Sequence, residues 1–295
     1  MKTRLDRVAI VLLVLLCAAW GINTVAIKLA NEGIPPVFQA FLRSLLAALL
    51  VGLYAKWRGL PLFRIDASTL PGIAAGVLFG LEFIAFYVGV DGTTAARAVV
   101  FLYTMPFFVA LGGAWLLPNE RLGPIRATGL AVAFVGMAFG LFGAVDGESR
   151  GTLPADLLCI FAAMLWAATF IVIKATPLVH ESAERILFHQ LVWSVPALAV
   201  GAALAGPFRI VDATPMVLAA LAYQVCVVVA VTYLVWFWLV RRYPAARLAS
   251  FTFLTPLFGV VAGALILGDP VSPSFLLALT GVALGIWLVN RPEAA

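Results

Sequence analysis

The sequence predicts an all-α integral membrane protein: ten transmembrane helices arranged as two inverted five-helix repeats around a central cavity. Three observations predict it. The chain is 64% hydrophobic and only 11% charged, with a mean hydropathy of +1.09, which is more apolar surface than a soluble fold hides. Its apolar residues gather into ten runs, each close to the roughly 20 helical residues that cross about 30 Å of hydrocarbon. A phrase in the first run, Trp20 to Lys28, returns as Trp166 to Lys174, so the chain reads as one unit written twice.

The runs place spans at about 8–29, 37–55, 71–90, 95–116, 124–143, 154–174, 185–205, 215–239, 245–267 and 273–290, with ends good to a few residues. They are too long, and too uniformly apolar, for the alternating strands of an outer-membrane barrel. The first run has a basic leader, but no Ala-x-Ala site follows it and Leu16 stands where a lipoprotein site before Cys17 needs a small residue, so it is expected to remain as a helix. Cys17, Cys159 and Cys226 all fall at apolar positions within spans, where free cysteine behaves as a small hydrophobe. Neither a disulfide framework nor a metal site is expected.

Orientation follows from the basic residues. With the N-terminus in the cytoplasm, fourteen of the nineteen Lys and Arg residues fall on the inner side, and only Lys28, Arg97, Arg150 and Arg209 fall outside. Arg43 is left within the second span. This asymmetry predicts a multi-pass protein of a bacterial inner membrane with both termini cytoplasmic.

The repeat extends past the opening phrase. Ala95-Ala-Arg97 before the fourth span matches Ala245-Ala-Arg247 before the ninth, and Pro106 matches Pro256, both 150 residues apart. Glu120 then pairs with Asp269, Pro124 with Pro273 and Gly136 with Gly285, at 149. Five spans per half is an odd number, so the second half, 149–295, enters the membrane from the side opposite to the first, 1–148. The Gly-rich polar link of residues 144–153 reads as an external turn. Inverted halves can rock about a shared midplane site, which is the geometry of alternating access.

Taken together, the Trp-Gly-x-Asn…Lys stretch of the first helix, the Ala-Ala-x…Pro entry of the fourth and ninth, and the Glu120 turn before a helix carrying Gly129 and Gly136 resemble the EamA-type members of the drug/metabolite transporter superfamily. The resemblance covers nearly the whole chain. Within that superfamily the chain is most similar to the YddG-type exporters of aromatic and other amino acids. The second copy departs by using Ala167 for Gly21 and Asp269 for Glu120. The resemblance implies export of amino acids or related small metabolites, with drugs or other metabolites as an alternative cargo and a passive channel as a further one.

Several residues are candidates for the pathway. Glu82 lies near the middle of the third span, where a carboxyl is costly unless it faces a wet cavity or a partner; a structural role between helices is the competing reading. Phe86 and Tyr87 share its helical face or the adjoining stripe. Trp20, Asn23 and Thr24, with Trp166 and Thr169 in the second copy, combine aromatic surface with hydrogen-bonding groups at one level of two related helices. An amino acid with an apolar side chain needs both, although packing alone would also use them. Tyr103, Tyr233 and Trp236 complete the expected substrate-binding set. Pro106 and Pro256 should kink their helices near Leu102 and Thr252, giving a kink or gating role. Arg43 is read as snorkelling and His189 as hydrogen-bonded structure, with a pathway role as the alternative for each, and Lys28 and Lys174 as snorkelling or satisfying helix-end carbonyls, with a substrate role as the alternative.

Catalysis is not expected: HExxH, G-x-S-x-G, P-loop and Asp-rich motifs are all missing from the sequence, and His180 and His189 are its only histidines. No loop has room for a nucleotide-binding domain. Neither a cofactor, a metal nor a nucleic acid is implied; the expected partners are a small-molecule substrate and the bilayer. Five helices per half enclose a complete cavity, so a monomer suffices, and the family permits a dimer.

Overall fold

The computed structural model describes residues 5–91, 98, 101–117, 122–142, 152–267 and 274–291. The positions Ala95-Ala-Arg97, Glu120, Asp269 and Pro273, and residues 144–151 of the link, lie outside them. Among the described residues the protein is helical, with no strand. Within those residues seven helices are long and apolar enough to cross a membrane, and three shorter apolar helices accompany them.

In chain order these are α1 (Arg7–Asn31), α2 (Pro36–Trp57), α3 (Thr69–Asp91), α4 (Met105–Leu116), α5 (Pro124–Phe142), α6 (Leu153–Ala175) and α7 (Ala183–Ala205). A short 3-10 turn, Pro177–His180, joins the last two. The eighth expected span is α8 (Pro215–Ala222), a π-helical stretch Tyr223–Thr232 and α9 (Tyr233–Val240); α10 (Ala245–Phe251), α11 (Leu254–Leu267) and α12 (Ser274–Asn290) follow.

The termini of these helices have local causes. Asp6 caps α1 by accepting from the Ala9 amide at 2.9 Å, and Ser182 and Thr214 accept from the Arg185 and Val217 amides to cap α7 and α8. Proline opens α2, α4, α6 and α8 in the first two positions, where a missing N–H leaves no helical bond unmade.

The fourth and ninth expected spans are interrupted near their prolines. A turn at Tyr103–Thr104 precedes α4, and a turn at Thr252–Phe253 divides α10 from α11. In each turn a threonine hydroxyl donates to the carbonyl three residues back: Thr104 to Phe101 at 2.6 Å, Thr252 to Ala249 at 2.7 Å. Pro106 and Pro256 then sit in the first turn of the helix that resumes, where their missing amides cost nothing. Nothing in the residue pattern announces the π-helix of the eighth span. Within it the Thr232 hydroxyl donates to the Val228 carbonyl, the kind of back-bond that bends helices.

Polarity runs inside out for a soluble protein. Gln39, Arg43, Glu82, Gln190 and Gln224 are buried, whereas Trp115, Leu204 and Leu265 are each more than 80% exposed. That distribution suits a chain whose exterior meets lipid.

Helix contacts are close where side chains vanish. A Cβ on Gly72 would lie 2.6 Å from Cγ of His189, and one on Gly76 2.5 Å from Cβ of Trp193, so the glycine stripe of α3 seats α7. His189 belongs to this interface, its Nδ1 accepting from the Trp193 indole at 3.2 Å. Where α5 crosses α12, a Cβ on Gly136 would stand 2.7 Å from Cα of Gly281.

The connection before α3 is tied to the start of α7. Asp66 accepts from the Arg185 guanidinium at 2.8 Å, from Arg64 at 2.6 Å and from the Ser68 amide and hydroxyl at 2.8 and 2.6 Å. Arg185 also pairs with Glu181 at 2.9 Å. The Arg185 bond, followed by those from Ser68 and Arg64, holds the Asp66 carboxyl well below the usual carboxylate range.

Two predictions follow from this packing. Gly136→Leu meets backbone and should lower stability by about 1–3 kcal/mol, the usual cost of overpacking, whereas Gly259→Ala, whose added Cβ would find its nearest atom at 3.7 Å, should change it little; thermal unfolding in detergent reads both. Because folding depresses the Asp66 carboxyl, its contribution is full at neutral pH and is lost as pH falls below about 4. Asp66→Asn should therefore lower the melting temperature at pH 7, and the gap to wild type should close in acid.

Candidate functional site

Four helices present faces of one spacing to a shared interior. On α1 the series is Trp20, Asn23, Thr24, Ile27, Lys28 and Asn31; on α3, Phe79, Glu82, Phe83, Phe86 and Tyr87; on α6, Trp166, Thr169, Phe170 and Ile173; on α9, Tyr233, Trp236 and Phe237. Steps of three and four residues keep each set on one helical face. Together with Pro36 and Arg43 of α2, Gln190 of α7, Val228, and Ala98, Leu102 and Tyr103 ahead of α4, they enclose a cavity of about 260 Å³.

All eleven residues expected to bind substrate line this cavity. Pro106 and Pro256 do not; they act on the path of the backbone beside it. Of the other aromatic residues on the eighth span, Tyr223 and Trp238 stand off the cavity. Tyr223 donates its hydroxyl to the Ala19 carbonyl at 3.0 Å, and Trp238 lies under the Arg242 guanidinium at 3.9 Å.

Rings in mutual contact wall much of the cavity. Trp20 meets Trp236 edge-on at 5.3 Å between centroids and Tyr233 at 6.0 Å, and Trp236 stacks on Phe170 at 5.5 Å. Tyr103 and Trp166 meet at 5.8 Å. The Trp20 indole donates to the Thr232 hydroxyl at 2.8 Å, which fixes the ring and gives Thr232, the repeat counterpart of Glu82, a structural task. Edge-to-face pairs of this kind are each worth about 0.5–1.5 kcal/mol beyond area burial.

The polar groups of the cavity are less well satisfied. Glu82 is 6% exposed and Arg43 only 1%. Oε2 of Glu82, Nε and Nη2 of Arg43, Oδ1 of Asn23, the Tyr87 hydroxyl and Oε1 of Gln190 are buried without a hydrogen-bond partner. The Arg43 guanidinium lies 4.0 Å from the centroid of the Phe83 ring, and its charge reaches both Glu82 and Tyr87. A buried polar group without a partner costs free energy, and here an acid, a guanidinium and several dipoles bear that cost around one space. Other polar groups of the lining are engaged: the Thr169 hydroxyl donates to the Leu165 carbonyl at 3.0 Å, which leaves it only acceptor capacity, and Oδ1 of Asn31 accepts from the Gln39 amide at 3.2 Å.

Arg43 is the main residue that sequence reasoning placed elsewhere. It does not snorkel: its guanidinium turns inward over Phe83. The signal for it was its position, a lone arginine a third of the way into an apolar run. Phe79, Phe83 and Phe170 were legible as neighbours of the chosen residues at helical spacing. Gln224 is fully buried with both side-chain polar atoms unpartnered, but it stands off the cavity, in the π-helical stretch.

A chain of hydrogen bonds ties three segments together away from the cavity lining. The Lys174 ammonium donates to the Tyr243 carbonyl at 2.5 Å, and the Tyr243 hydroxyl donates to the Asp6 carboxylate at 2.8 Å. This joins the start of α1, the end of α6 and the link between α9 and α10. Lys174 thus satisfies a carbonyl, though one from a neighbouring segment and not from its own helix end.

Comparison with known proteins gives the same picture of the chain. The EamA-like transporter family matches it twice, over residues 7–142 and 153–291. It is 27% identical over 292 residues to the uncharacterized transporter YvbV of Bacillus subtilis, covering 96% of this chain and 92% of that one. It is 26% identical over 288 residues to a probable amino-acid metabolite efflux pump of Salmonella typhimurium, covering 94% and 93%. One solved crystal structure shares the fold, with a TM-score of 0.79 over 97% of each chain at 16% identity.

If Arg43 and Glu82 sense one another, neutralising both should cost less than the sum of the single changes. In a double-mutant cycle of Arg43→Gln and Glu82→Gln, thermal or denaturant unfolding should give a coupling of about 1–3 kcal/mol. Simple additivity would show that the two charges are independent.

Proposed function

Since the chain belongs to the EamA-like transporter family, it is a multi-pass membrane transporter, and we propose that it exports amino acids, aromatic and apolar ones among them, or related small metabolites from the cytoplasm by alternating access. The observation that carries this reading is the pairing of unpartnered Arg43 and Glu82 atoms with aromatic walls around one buried space. A zwitterion brings a carboxylate for the guanidinium and an ammonium for the acid, and its side chain covers the rings. Charge-assisted bonds of this kind are the strong ones. The volume of about 260 Å³ lies just below the roughly 300–1,000 Å³ usual for ligand sites, which favours a cargo of amino-acid size over a bulky drug.

The proposed architecture is two inverted five-helix halves, 1–148 and 149–295, in a bacterial inner membrane with both termini cytoplasmic. In that frame Lys28, Asn31 and Pro36 mark the outer mouth of the cavity. The Trp20, Trp236 and Phe170 rings, with the Lys174, Tyr243 and Asp6 chain behind them, close the inner side. Export then requires the inner contacts to part and the outer mouth to close. The interruptions before Pro106 and Pro256 are placed to let α4 and α11 tilt against the rest of their spans. No ATP-hydrolysing domain is needed for a gradient-driven or facilitated cycle.

The test is flux into liposomes containing the purified protein, with a panel of labelled amino acids, sugars and cationic drugs. Saturable amino-acid flux that unlabelled amino acids compete away is expected. Arg43→Gln and Glu82→Gln should each lower it at least about tenfold below saturation, the lower bound for losing a bond to a charged group. Trp236→Ala should weaken aromatic cargo more than alanine. Flux confined to sugars or drugs would overturn the reading.

A further inference from the structure

A second cavity lies on the outside of the bundle, apart from the transport site. It is a groove of about 840 Å³ between α2 and α7, roofed by residues 59–64. On α2 its wall is Leu45, Leu49, Gly52 and Leu53, one helical face that ends at Lys56; on α7 it is Phe188, Val192 and Val195. Eleven residues separate Leu45 from Lys56, a rise of about 16 Å, or one leaflet of a roughly 30 Å hydrocarbon layer. The groove is therefore an aliphatic channel one leaflet deep with a cation at its end.

The chemistry at that end is specific. Lys56 has no carboxylate partner among the described residues, whereas its neighbour Arg64 is engaged by Asp66 and Glu181. At the end of α2 and on the connection that follows, Trp57, Phe63 and Ile65 are each at least 80% exposed, and Phe63 stands edge-on to Phe188 at 5.1 Å. Exposed aromatic and aliphatic side chains beside free basic charge are what a segment lying at the headgroup level presents. Arg58 adds a further positive charge beside Lys56.

We propose that this groove is a binding site for an anionic phospholipid, one acyl chain lying along α2 between Leu49 and Val192 and the headgroup phosphate meeting Lys56. The charge match selects the occupant: a zwitterionic lipid fills the aliphatic channel equally well but brings its own cation to Lys56. A bound lipid there bridges α2 and α7, two helices that each supply a cavity residue, Arg43 and Gln190. It thereby braces the wall that carries the guanidinium.

The experiment is native mass spectrometry of the full-length protein released from vesicles of equal phosphatidylglycerol and phosphatidylcholine with matched chains. Wild type should retain phosphatidylglycerol over phosphatidylcholine by about fivefold, the selectivity one basic residue supplies near an anionic surface. Lys56→Gln, an exposed change, should bring the ratio close to one. Gly52→Leu should reduce both adducts by filling the groove; if that variant does not yield folded protein, Val195→Phe narrows the same channel from α7. Equal retention of the two lipids by wild type, or a ratio unchanged in Lys56→Gln, would overturn the proposal. So would a lipid-free dimer in place of lipid adducts, since a second copy would then be what covers the groove.

Discussion

The low-dielectric interior around Arg43 and Glu82 is the constraint on which the rest of the site depends. Water would solvate both groups, and lipid would tolerate neither; placing them deep in an apolar bundle is costly unless their charges meet something. The protein gives them each other's field, a phenylalanine ring for the guanidinium and very few hydrogen bonds. Both residues line the cavity. A ligand with opposite charges at its two polar groups is what relieves such an arrangement, and relief on binding is what makes a site selective.

The packing around the pair holds that space in place. Glycines on α3 let α7 approach until backbone meets side chain, which fixes the wall bearing Gln190. At the turns of the interrupted helices threonine hydroxyls bond back to the Phe101 and Ala249 carbonyls. Aromatic rings, rigid and broad, wall the cavity with few hydrogen bonds of their own. Of the cavity's indoles, that of Trp20 donates to Thr232, which is not a lining residue.

Much of this was legible in the residues. Helix limits came within two or three residues wherever a span was continuous, since apolar length and proline at the start leave little choice. The repeated Trp…Ile-Lys phrase led to the two faces on α1 and α6, and helical spacing from Glu82 led to the α3 face. Arg43 was misjudged for a physical reason: snorkelling and inward burial begin from the same depth, and only the rotation of α2 decides between them. The π-helical stretch was invisible because a shift from four to five residues per backbone bond leaves no mark on composition. Thr169 was legible as a polar residue on the right face, but not that its own helix would take its proton.

The central claim is that the cavity recognises both charges of one small molecule. The most direct measurement is the thermal stabilisation of the purified protein by phenylalanine, by its amide, which lacks the carboxylate, and by its deaminated acid, which lacks the ammonium. The account predicts a saturable rise in melting temperature with phenylalanine and much smaller shifts with the other two. Equal shifts from all three would show that the rings alone bind the ligand, and would contradict it.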